Sequence, residues 1–316
     1  MSSLVARLAA NNFWLGRYVE RAEDLARILD INETYARDDP EGPDWSRVLV
    51  LFDDTERFRA RYDEISTRSV LNFSVLDRDN PNSIVSCIRS ARENARSVRH
   101  LVSTEMWTHL NIVYGRARAL SLRDIRLSNL SQLAQQVISD CQTFEGIAEG
   151  TFLRSEPWCF YSLGKFIERA DQTTRILDMG YDRLSIRKGD AVAYVHWNVL
   201  LRSVCGYHAY RLRHPGASSP RDIATFLLYD EEFPRSVSLC VSRTTAVLRD
   251  LERRHGSQRD ASLEKARRAL EFALETGPAS ELTERRLHDY IDHIQLALAA
   301  LSMSIEASYF GVEATA

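Results

Sequence analysis

The chain repeats one amphipathic segment, and this repeat restricts its fold more than any other feature. Leu15 to Asp30 reads LGRYVERAEDLARILD, and Leu163 to Asp178 reads LGKFIERADQTTRILD. Nine of the sixteen positions are identical, and the two copies occur at a spacing of 148 along the chain. A segment of this length that occurs twice indicates an internal duplication.

Two further matches follow in the same order. Trp45 corresponds to Trp197 at a spacing of 152, and a segment with the pattern D-x-x-x-P-x-S recurs at a spacing of 153. Its matched residues are Phe73, Asp77, Pro81, Ser83 and Cys87 in the first half and Phe226, Asp230, Pro234, Ser236 and Cys240 in the second. We therefore predict two repeats, 1–150 and 151–316, packed together as one domain.

Every repeated block has helical spacing of apolar residues. A first helix is predicted to run to about Tyr35, with Ser2 and Ser3 as candidate caps and the segment 39–43 as its end. Further helices are predicted at 45–62, 80–102, 130–148, 157–180, 190–210, 234–255, 259–275 and 280–308, with Asn80 as the cap of the second of these. No stretch alternates with a period of two over enough residues for a strand. The predicted fold class is all-α, an internally duplicated helical bundle whose halves are related by a pseudo-twofold axis.

Each copy of the repeated segment carries a polar stripe. At 100° per residue, its members fall within an arc of about 80°. The polar stripe consists of Gly16, Glu20, Glu23, Arg27 and Asp30 in the first copy and Gly164, Glu168, Asp171, Arg175 and Asp178 in the second. Arg21 and Arg169 lie on a flank of the opposite, apolar face. One interpretation is a buried or half-buried salt network that sets helix register, and the other is a site for a cation or a substrate amine.

The repeated glycine of the polar stripe predicts how the two segments meet. Glycine inside a helix costs about 0.5–1 kcal/mol relative to alanine, so its presence at both Gly16 and Gly164 indicates the close approach of another backbone. We expect the two helices to cross near the pseudo-twofold axis. The residues expected near the crossing are Glu20, Arg21, Glu168 and Arg169.

The first half also has a basic stripe, formed by Arg89, Arg92, Arg96 and Arg99 at helical spacing. The second half keeps only one of these charges, Arg249. A solvated face, partly neutralised by Glu93 or by the acidic residues of the polar stripe, is one interpretation. The other is a surface for an anion, such as phosphate or an acidic peptide.

Common catalytic and cofactor motifs are absent from the sequence. It contains no Walker A, G-x-G-x-x-G or G-x-S-x-G pattern. The pairs Glu105/His109, His288/Asp292 and Asp289/His293 have i,i+4 spacing, but no E-x-x-H motif occurs on two helices, and we predict no metal and no cofactor. Cys87 and Cys240 occupy matching positions, which favours small core residues over nucleophiles.

Charge and cysteine content exclude further classes of protein. The formal net charge of −3 argues against a nucleic-acid binder, and no apolar run is long enough to cross a membrane. The five cysteines form no C-x-x-C pair, and the N-terminus lacks a secretion signal pattern. These features predict a reduced, cytoplasmic protein.

The doubled LGRYVERAE/LGKFIERAD segments, both followed by RILD, and the segment from Ser103 to Trp107 resemble the α-E family, a bacterial helical family named for its Glu-Arg (ER) motif. The resemblance implies that the ER motif corresponds to Glu20, Arg21, Glu168 and Arg169. It also implies association with a circularly permuted ATP-grasp amidoligase and a transglutaminase-like peptidase, and therefore with the synthesis or modification of an amide-linked peptide. It assigns no catalytic residue.

Three functions are compatible with these features. The first is an accessory protein that binds the ligase or its peptide product. The second is an enzyme of amide chemistry, in which Glu20 and Glu168 act as acid/base or metal-binding groups. The third is a structural homodimer whose polar stripe only sets helix register.

Overall fold

The computed structural model of the chain describes residues 5–38, 45–185, 191–216, 219–255, 260–275 and 284–311. This part of the chain is all-α, as the sequence predicts, and contains no β-strand. Its fourteen α-helices are α1 (Ala6–Asp38), α2 (Ser46–Leu51), α3 (Thr55–Arg59), α4 (Thr67–Leu71), α5 (Ile84–Ser97), α6 (Thr104–Ala119), α7 (Leu127–Thr151), α8 (Glu156–Ser185), α9 (Ala191–Ser203), α10 (Tyr207–Arg213), α11 (Pro220–Tyr229), α12 (Val237–His255), α13 (Ala261–Glu275) and α14 (Glu284–Ile305). Single π-helical turns follow α4 and α14. The predicted caps Ser2 and Ser3 and the predicted end of the first helix at 39–43 lie outside the described residues.

Two of the predicted helices are broken in two. The prediction of one helix over 45–62 is wrong, because Asp53, with φ of 54°, separates α2 from α3. The prediction over 190–210 is wrong for the same reason, since Cys205, with φ of 57°, separates α9 from α10. A right-handed helix cannot continue through a residue in the left-handed region.

The start of α5 also differs from the prediction. Ser83, not Asn80, is its N-cap, and the Ser83 hydroxyl accepts a hydrogen bond from the Ser86 N–H at 3.2 Å. The Asn80 side chain instead donates to the carbonyl oxygen of Phe73 at 3.0 Å. Asn80 therefore stabilises the preceding loop, and Ser83 caps the helix.

The described helices fall into two compact units. The unit Trp14–Leu153 holds most of α1 together with α2–α7. Within it, α5 packs on α6 and α6 on α7. Gln135 of α7 donates a hydrogen bond to Asp30 of α1 at 2.8 Å, so α7 lies beside α1.

The second unit consists of Met1–Phe13 and Arg154–Ala316. Four helices of this unit, α9, α11, α12 and α14, pack on α8, and α13 packs on α12 and α14. Tyr161 of α8 and Tyr210 of α10 are among its fully buried side chains. Because so many helices pack on it, α8 is the centre of this unit.

Helices in the two units begin at regular spacings along the chain. The spacing is 152 between α3 and α10, 153 between α4 and α11 and between α5 and α12, and 157 between α6 and α13 and between α7 and α14. The two left-handed residues, Asp53 and Cys205, have the same spacing as the starts of α3 and α10. The order and spacing of local elements therefore recur in the two units.

Individual side-chain contacts recur at the same spacings. Arg61 forms ion pairs with Asp77 at 3.3 Å and Asp79 at 2.8 Å. Its counterpart Arg213, at the spacing that relates α3 to α10, forms ion pairs with Asp230 at 2.9 Å and Glu232 at 2.5 Å. These two acceptors follow Asp77 and Asp79 at the spacing that relates α4 to α11, so the same salt link occurs at matched positions in the two units.

The aromatic packing around this link recurs as well. Phe58 stacks on Tyr62 with ring centroids 4.9 Å apart, and Phe58 meets Phe73 edge-on at 5.3 Å. At the matched positions, Tyr210 stacks on His214 at 4.6 Å and meets Phe226 edge-on at 5.3 Å. The Sγ atoms of the matched cysteines, Cys87 and Cys240, each lie 3.7 Å from the carbonyl oxygen of the proline six residues earlier. The expectation that the matched cysteines are core residues agrees with their burial.

Candidate functional site

Two carboxylates of the first polar stripe, those of Glu20 and Glu23, are buried, and so is the neighbouring Asp24. Glu20, Glu23 and Asp24 are only 1–2% exposed, although a charged side chain is rarely buried to this extent without partners. The apolar face of α1 is buried too, with Leu25 and Leu29 at 2% and 0%. This part of α1 is therefore covered on both faces, and its charges are held inside protein rather than in solvent.

Arg27 neutralises one of these carboxylates. Its Nε and Nη2 atoms both donate to Oε1 of Glu23, at 3.0 and 2.7 Å. Asp30, at the end of the stripe, is half-buried and accepts a hydrogen bond from Gln135. The first stripe thus consists of a buried acidic end, one internal ion pair and a half-buried end fixed by α7.

Cys141 of α7 faces the acidic end of the stripe. Its thiol is fully buried, and its pKa is raised well above the ordinary value, first by burial and then by the charges of Glu23 and Glu20. The thiol is therefore protonated at neutral pH and lies close enough to Glu23 and Glu20 for their charges to act on it. Nothing in the sequence connected Cys141 to Glu20.

The second polar stripe occupies the matched positions of α8, but fewer of its side chains are buried. Glu168 is fully buried, and Gln172 donates to its Oε1 at 3.5 Å. Asp171 accepts a hydrogen bond from Arg175 at 2.8 Å, but both side chains are half-buried. Asp178 is also half-buried and contacts Nδ1 of His288 at 2.8 Å.

Both glycines of the polar stripe are buried. The expected close approach of another backbone at Gly16 and Gly164, and the crossing of the two Glu-Arg segments, concern residues of different units and remain predictions. Within its own unit, each segment places its glutamate inside the protein and its following arginine, Arg21 or Arg169, in a half-buried position.

Arg21 takes part in a polar network that the sequence did not reveal. Its Nη1 donates to Oδ1 of Asn82 at 3.0 Å, and the Asn82 amide donates to both carboxylate oxygens of Asp54 at 3.1 and 3.2 Å. Arg57 forms an ion pair with the same carboxylate. Burial raises the pKa of Asp54, while the Asn82 hydrogen bond and the charges of Arg57 and Arg21 act in the opposite direction. Arg21 therefore links α1 to the loops before α3 and α5.

Arg89, Arg92 and Arg96 of the basic stripe lie on α5, and Arg99 lies in the turn after it. Glu93 forms ion pairs with Arg92 and Arg96, each at 2.7 Å. Arg89 donates to the carbonyl oxygen of Arg78 at 3.2 Å. Arg96 remains the most exposed member, with 66% of its side chain accessible.

Aromatic residues of α6 lie beside the basic stripe. The Arg92 guanidinium lies 5.3 Å from the ring of Trp107 and 4.9 Å from that of Tyr114, and it donates to Asn111 at 2.9 Å. Arg99 lies 5.8 Å from the Trp107 ring. Trp107 is half-buried and forms one surface with these arginines.

The histidines of the three i,i+4 pairs each contact a nearby oxygen atom in the fold. His109 contacts the backbone oxygen of Asp140 at 2.8 Å, and His293 lies 3.4 Å from the backbone oxygen of Asp289. His288 contacts Asp178 and, at 3.7 Å, Asp292. Over the described ranges, no three histidine, cysteine or acidic side chains come together in an arrangement that could hold a metal ion.

Comparison with known proteins establishes the family. The model of the Alpha-E family, a predicted α-helical domain with a conserved ER motif, matches residues 4–310. The chain therefore belongs to the Alpha-E family. No solved structure matches it.

Relatives of the chain occur in mycobacteria. The uncharacterized protein Mb2597 of Mycobacterium bovis is 27% identical over 277 residues, and the uncharacterized protein Rv2567 of Mycobacterium tuberculosis is 26% identical over the same length. Each match covers 80% of this chain but only 30% of the relative. Among the described helices, none is both long and apolar enough to span a membrane.

Proposed function

We propose that this protein is an accessory helical component of a peptide-ligating system in the cytoplasm. In this proposal it binds a circularly permuted ATP-grasp amidoligase or the peptide that the ligase makes, and it has no catalytic residues of its own. Membership of the Alpha-E family supports the proposal, because the resemblance implies this association. A transglutaminase-like peptidase is a further partner that the resemblance implies.

The observation that favours an accessory role over an enzyme is the burial of Glu20 and Glu168, the glutamates of the two polar stripes. A general acid or base must reach its substrate within hydrogen-bond distance. Glu20 and Glu168 are at most 1% exposed, so helix packing covers the carboxylates that an amide-chemistry enzyme would use. Their burial supports a register-setting role, since paired buried charges disfavour alternative helix alignments.

The partner surface in this proposal is the basic stripe with the neighbouring aromatic residues. Arginine, tryptophan and tyrosine are the residues most enriched at energetically important interface positions. Arg96 pairs with Glu93 but is 66% exposed, so it can also form ion pairs with a partner, while Trp107 and Tyr114 supply apolar area around Arg92. An acidic peptide or an acidic patch on the ligase has the complementary charge.

The proposed architecture is a duplicated bundle with pseudo-twofold symmetry. The recurring salt link of Arg61 and Arg213 supports the duplication, as do the matched left-handed residues Asp53 and Cys205. The proposal places the two Glu-Arg segments near the symmetry axis. Superposition of the two halves of an experimental structure tests it: the expected operation is a twofold rotation, and a different relation contradicts the symmetry.

Co-purification tests the partner role. We expect the protein to retain the ATP-grasp protein encoded beside it, and the double variant Arg89→Glu/Arg96→Glu to lose that partner. These two positions are chosen because Arg92 also holds α5 against α6 through its ring contacts. Arg118→Glu, at an exposed arginine of α6, is the charge-matched control and should retain binding. Absence of binding by the unmodified protein contradicts the accessory role, and a homodimer alone would favour the purely structural alternative.

A further inference from the structure

A cavity in the unit Trp14–Leu153 lies apart from the polar stripe and the basic stripe. It lies between α4 and the turn that joins α6 to α7, and its volume is about 440 Å³. This size falls within the usual range of small-ligand pockets, roughly 300–1,000 Å³. The cavity is therefore large enough for an organic ligand.

The walls of the cavity combine positive charge with an apolar floor. Arg68, Arg123 and Arg126 line it, and none of its eight lining residues, all of them described, is acidic. Leu71 and Ile125 contribute buried apolar surface, and Leu122 is 48% exposed at its edge. Three guanidinium groups around an apolar surface favour a ligand that carries both anionic groups and an apolar body.

The nearest acidic residue in sequence neutralises this charge only in part. Asp124 accepts hydrogen bonds from the backbone N–H and the hydroxyl of Ser121, at 2.8 and 2.6 Å. The Ser121 hydrogen bonds and the charge of Arg123 lower the pKa of Asp124, so it is ionised beside Arg123. Within the described part of the chain, the guanidinium groups of Arg68 and Arg126 have no ion pair or side-chain hydrogen bond. At least two positive charges are therefore available to an occupant.

The matched positions in the second half show that the fold does not need this charge. At the spacing of 157 that relates α6 to α13 and α7 to α14, the sequence has Ser280 in place of Arg123 and Thr283 in place of Arg126. Like charges placed together without a counter-ion repel one another. At the spacing of 153 that relates α4 to α11, the second half keeps Arg221 in place of Arg68, so the complete cluster of three occurs in one half only and is better explained by a ligand than by a requirement of folding.

We propose that this cavity binds a small amphipathic ligand with two or more negative charges, held by Arg68, Arg123 and Arg126, and with an apolar part on Leu71, Leu122 and Ile125. The planar guanidinium fork binds carboxylate and phosphate oxygens equally well in geometric terms. The ligand is therefore defined by an oxyanion attached to an apolar body. Two kinds of molecule have this chemistry, an acidic peptide and a phosphorylated organic molecule.

Calorimetric titration of the full chain tests this site with four probes. Acetyl-Glu-Glu-Leu represents the acidic peptide, and naphthyl phosphate represents the phosphorylated organic molecule. Inorganic pyrophosphate has negative charge but no apolar body. Acetyl-Gln-Gln-Leu-amide has an apolar body but no negative charge. We expect at least one of the first two to bind with a Kd below about 1 mM, and the last two to bind at least about tenfold more weakly. Preference for the peptide identifies a carboxylate ligand, and preference for naphthyl phosphate identifies a phosphorylated one.

Variants locate the binding. Arg123→Ser/Arg126→Thr introduces the residues of the second half and should weaken the amphipathic anion at least about tenfold, because charge-assisted hydrogen bonds are lost. Leu122→Asp, at the exposed edge of the cavity, should weaken binding of the amphipathic anion by a similar factor. This variant replaces the double variant in the test if the double variant does not fold. Arg59→Ser, at an exposed arginine outside the cavity, should leave the Kd unchanged. Failure of both amphipathic probes to bind, equal binding of pyrophosphate, or an unchanged Kd in a folded cavity variant would overturn the proposal.

Discussion

Arg27 donates two hydrogen bonds to a single oxygen of Glu23, one turn earlier on α1, from Nε at 3.0 Å and Nη2 at 2.7 Å. The two side chains are 10% and 2% exposed, whereas the matched pair in α8, Arg175 and Asp171, is 30% and 18% exposed. An ion pair between an acidic residue and the arginine four positions later is therefore buried in one unit and half-buried in the other. Burial decides how much each pair contributes to stability, because solvent screens an exposed ion pair.

Removal of Arg27 should destabilise the protein more than removal of its counterpart. Arg27→Met leaves Glu23 charged and buried, and we expect the free energy of unfolding to fall by about 3–5 kcal/mol. Arg175→Met removes a partly solvated partner and should cost no more than about 1 kcal/mol. Urea denaturation followed by circular dichroism measures both, and equal losses would mean that the two pairs are equally screened.

Replacement of the buried glutamates should lower thermal stability. Glu20→Ala and Glu168→Ala each remove a side chain that is almost fully buried and leave the groups around it without their acceptor, so the melting temperature should fall by several degrees. Glu56→Ala, on the exposed face of α3, is the control and should change it by about 1 °C or less. An unchanged melting temperature for Glu20→Ala would show that the polar stripe is not a buried network.

Thiol labelling should distinguish one cysteine from the other four. Cys205 is exposed, while Cys87, Cys141, Cys159 and Cys240 are buried. Burial raises the pKa of Cys141 well above its ordinary value and, with the charge of Asp250, raises that of Cys159 to about 12. Because the thiolate is the reactive form, these thiols stay protonated and unreactive near pH 8.

An aromatic disulfide reagent at pH 8 should therefore titrate one thiol in the native protein and the remaining four only in denaturant. Cys205→Ser should abolish the rapid reaction, and Cys87→Ser should leave it unchanged. Rapid labelling of Cys141 would mean that α7 separates from the carboxylates of α1 in solution.

The two left-handed residues should respond to substitution in parallel. A β-branched side chain is strained at φ near +55°, whereas glycine is not. We expect Cys205→Val to be less stable than Cys205→Gly by about 1–2 kcal/mol, and Asp53→Val to differ from Asp53→Gly by a similar amount. Chemical denaturation of the four variants checks this, and the reverse order at either position would contradict the left-handed geometry there.

Local sequence patterns predicted much of the helical structure. The predicted helices at 157–180, 234–255 and 259–275 correspond to α8, α12 and α13, because apolar residues at helical spacing report directly on one buried face. The breaks at Asp53 and Cys205 were missed, since apolar residues occur on both sides of each break and neither residue is glycine or proline, the strongest helix breakers. Cys205 is followed by glycine, but in the first half no glycine marks the matching turn.

The sequence by itself determined the all-α class, the repeated segments and the residues that share the face of each polar stripe, because these follow from the geometry of a single helix. Only the tertiary structure decided that Glu20 and Glu23 are buried beside Cys141, that Arg21 reaches Asn82, and that Arg92 lies between two aromatic rings. The physical reason is that periodicity defines which side chains point the same way. What covers them, and so whether a charge is solvated or paired inside protein, depends on segments far away in the chain.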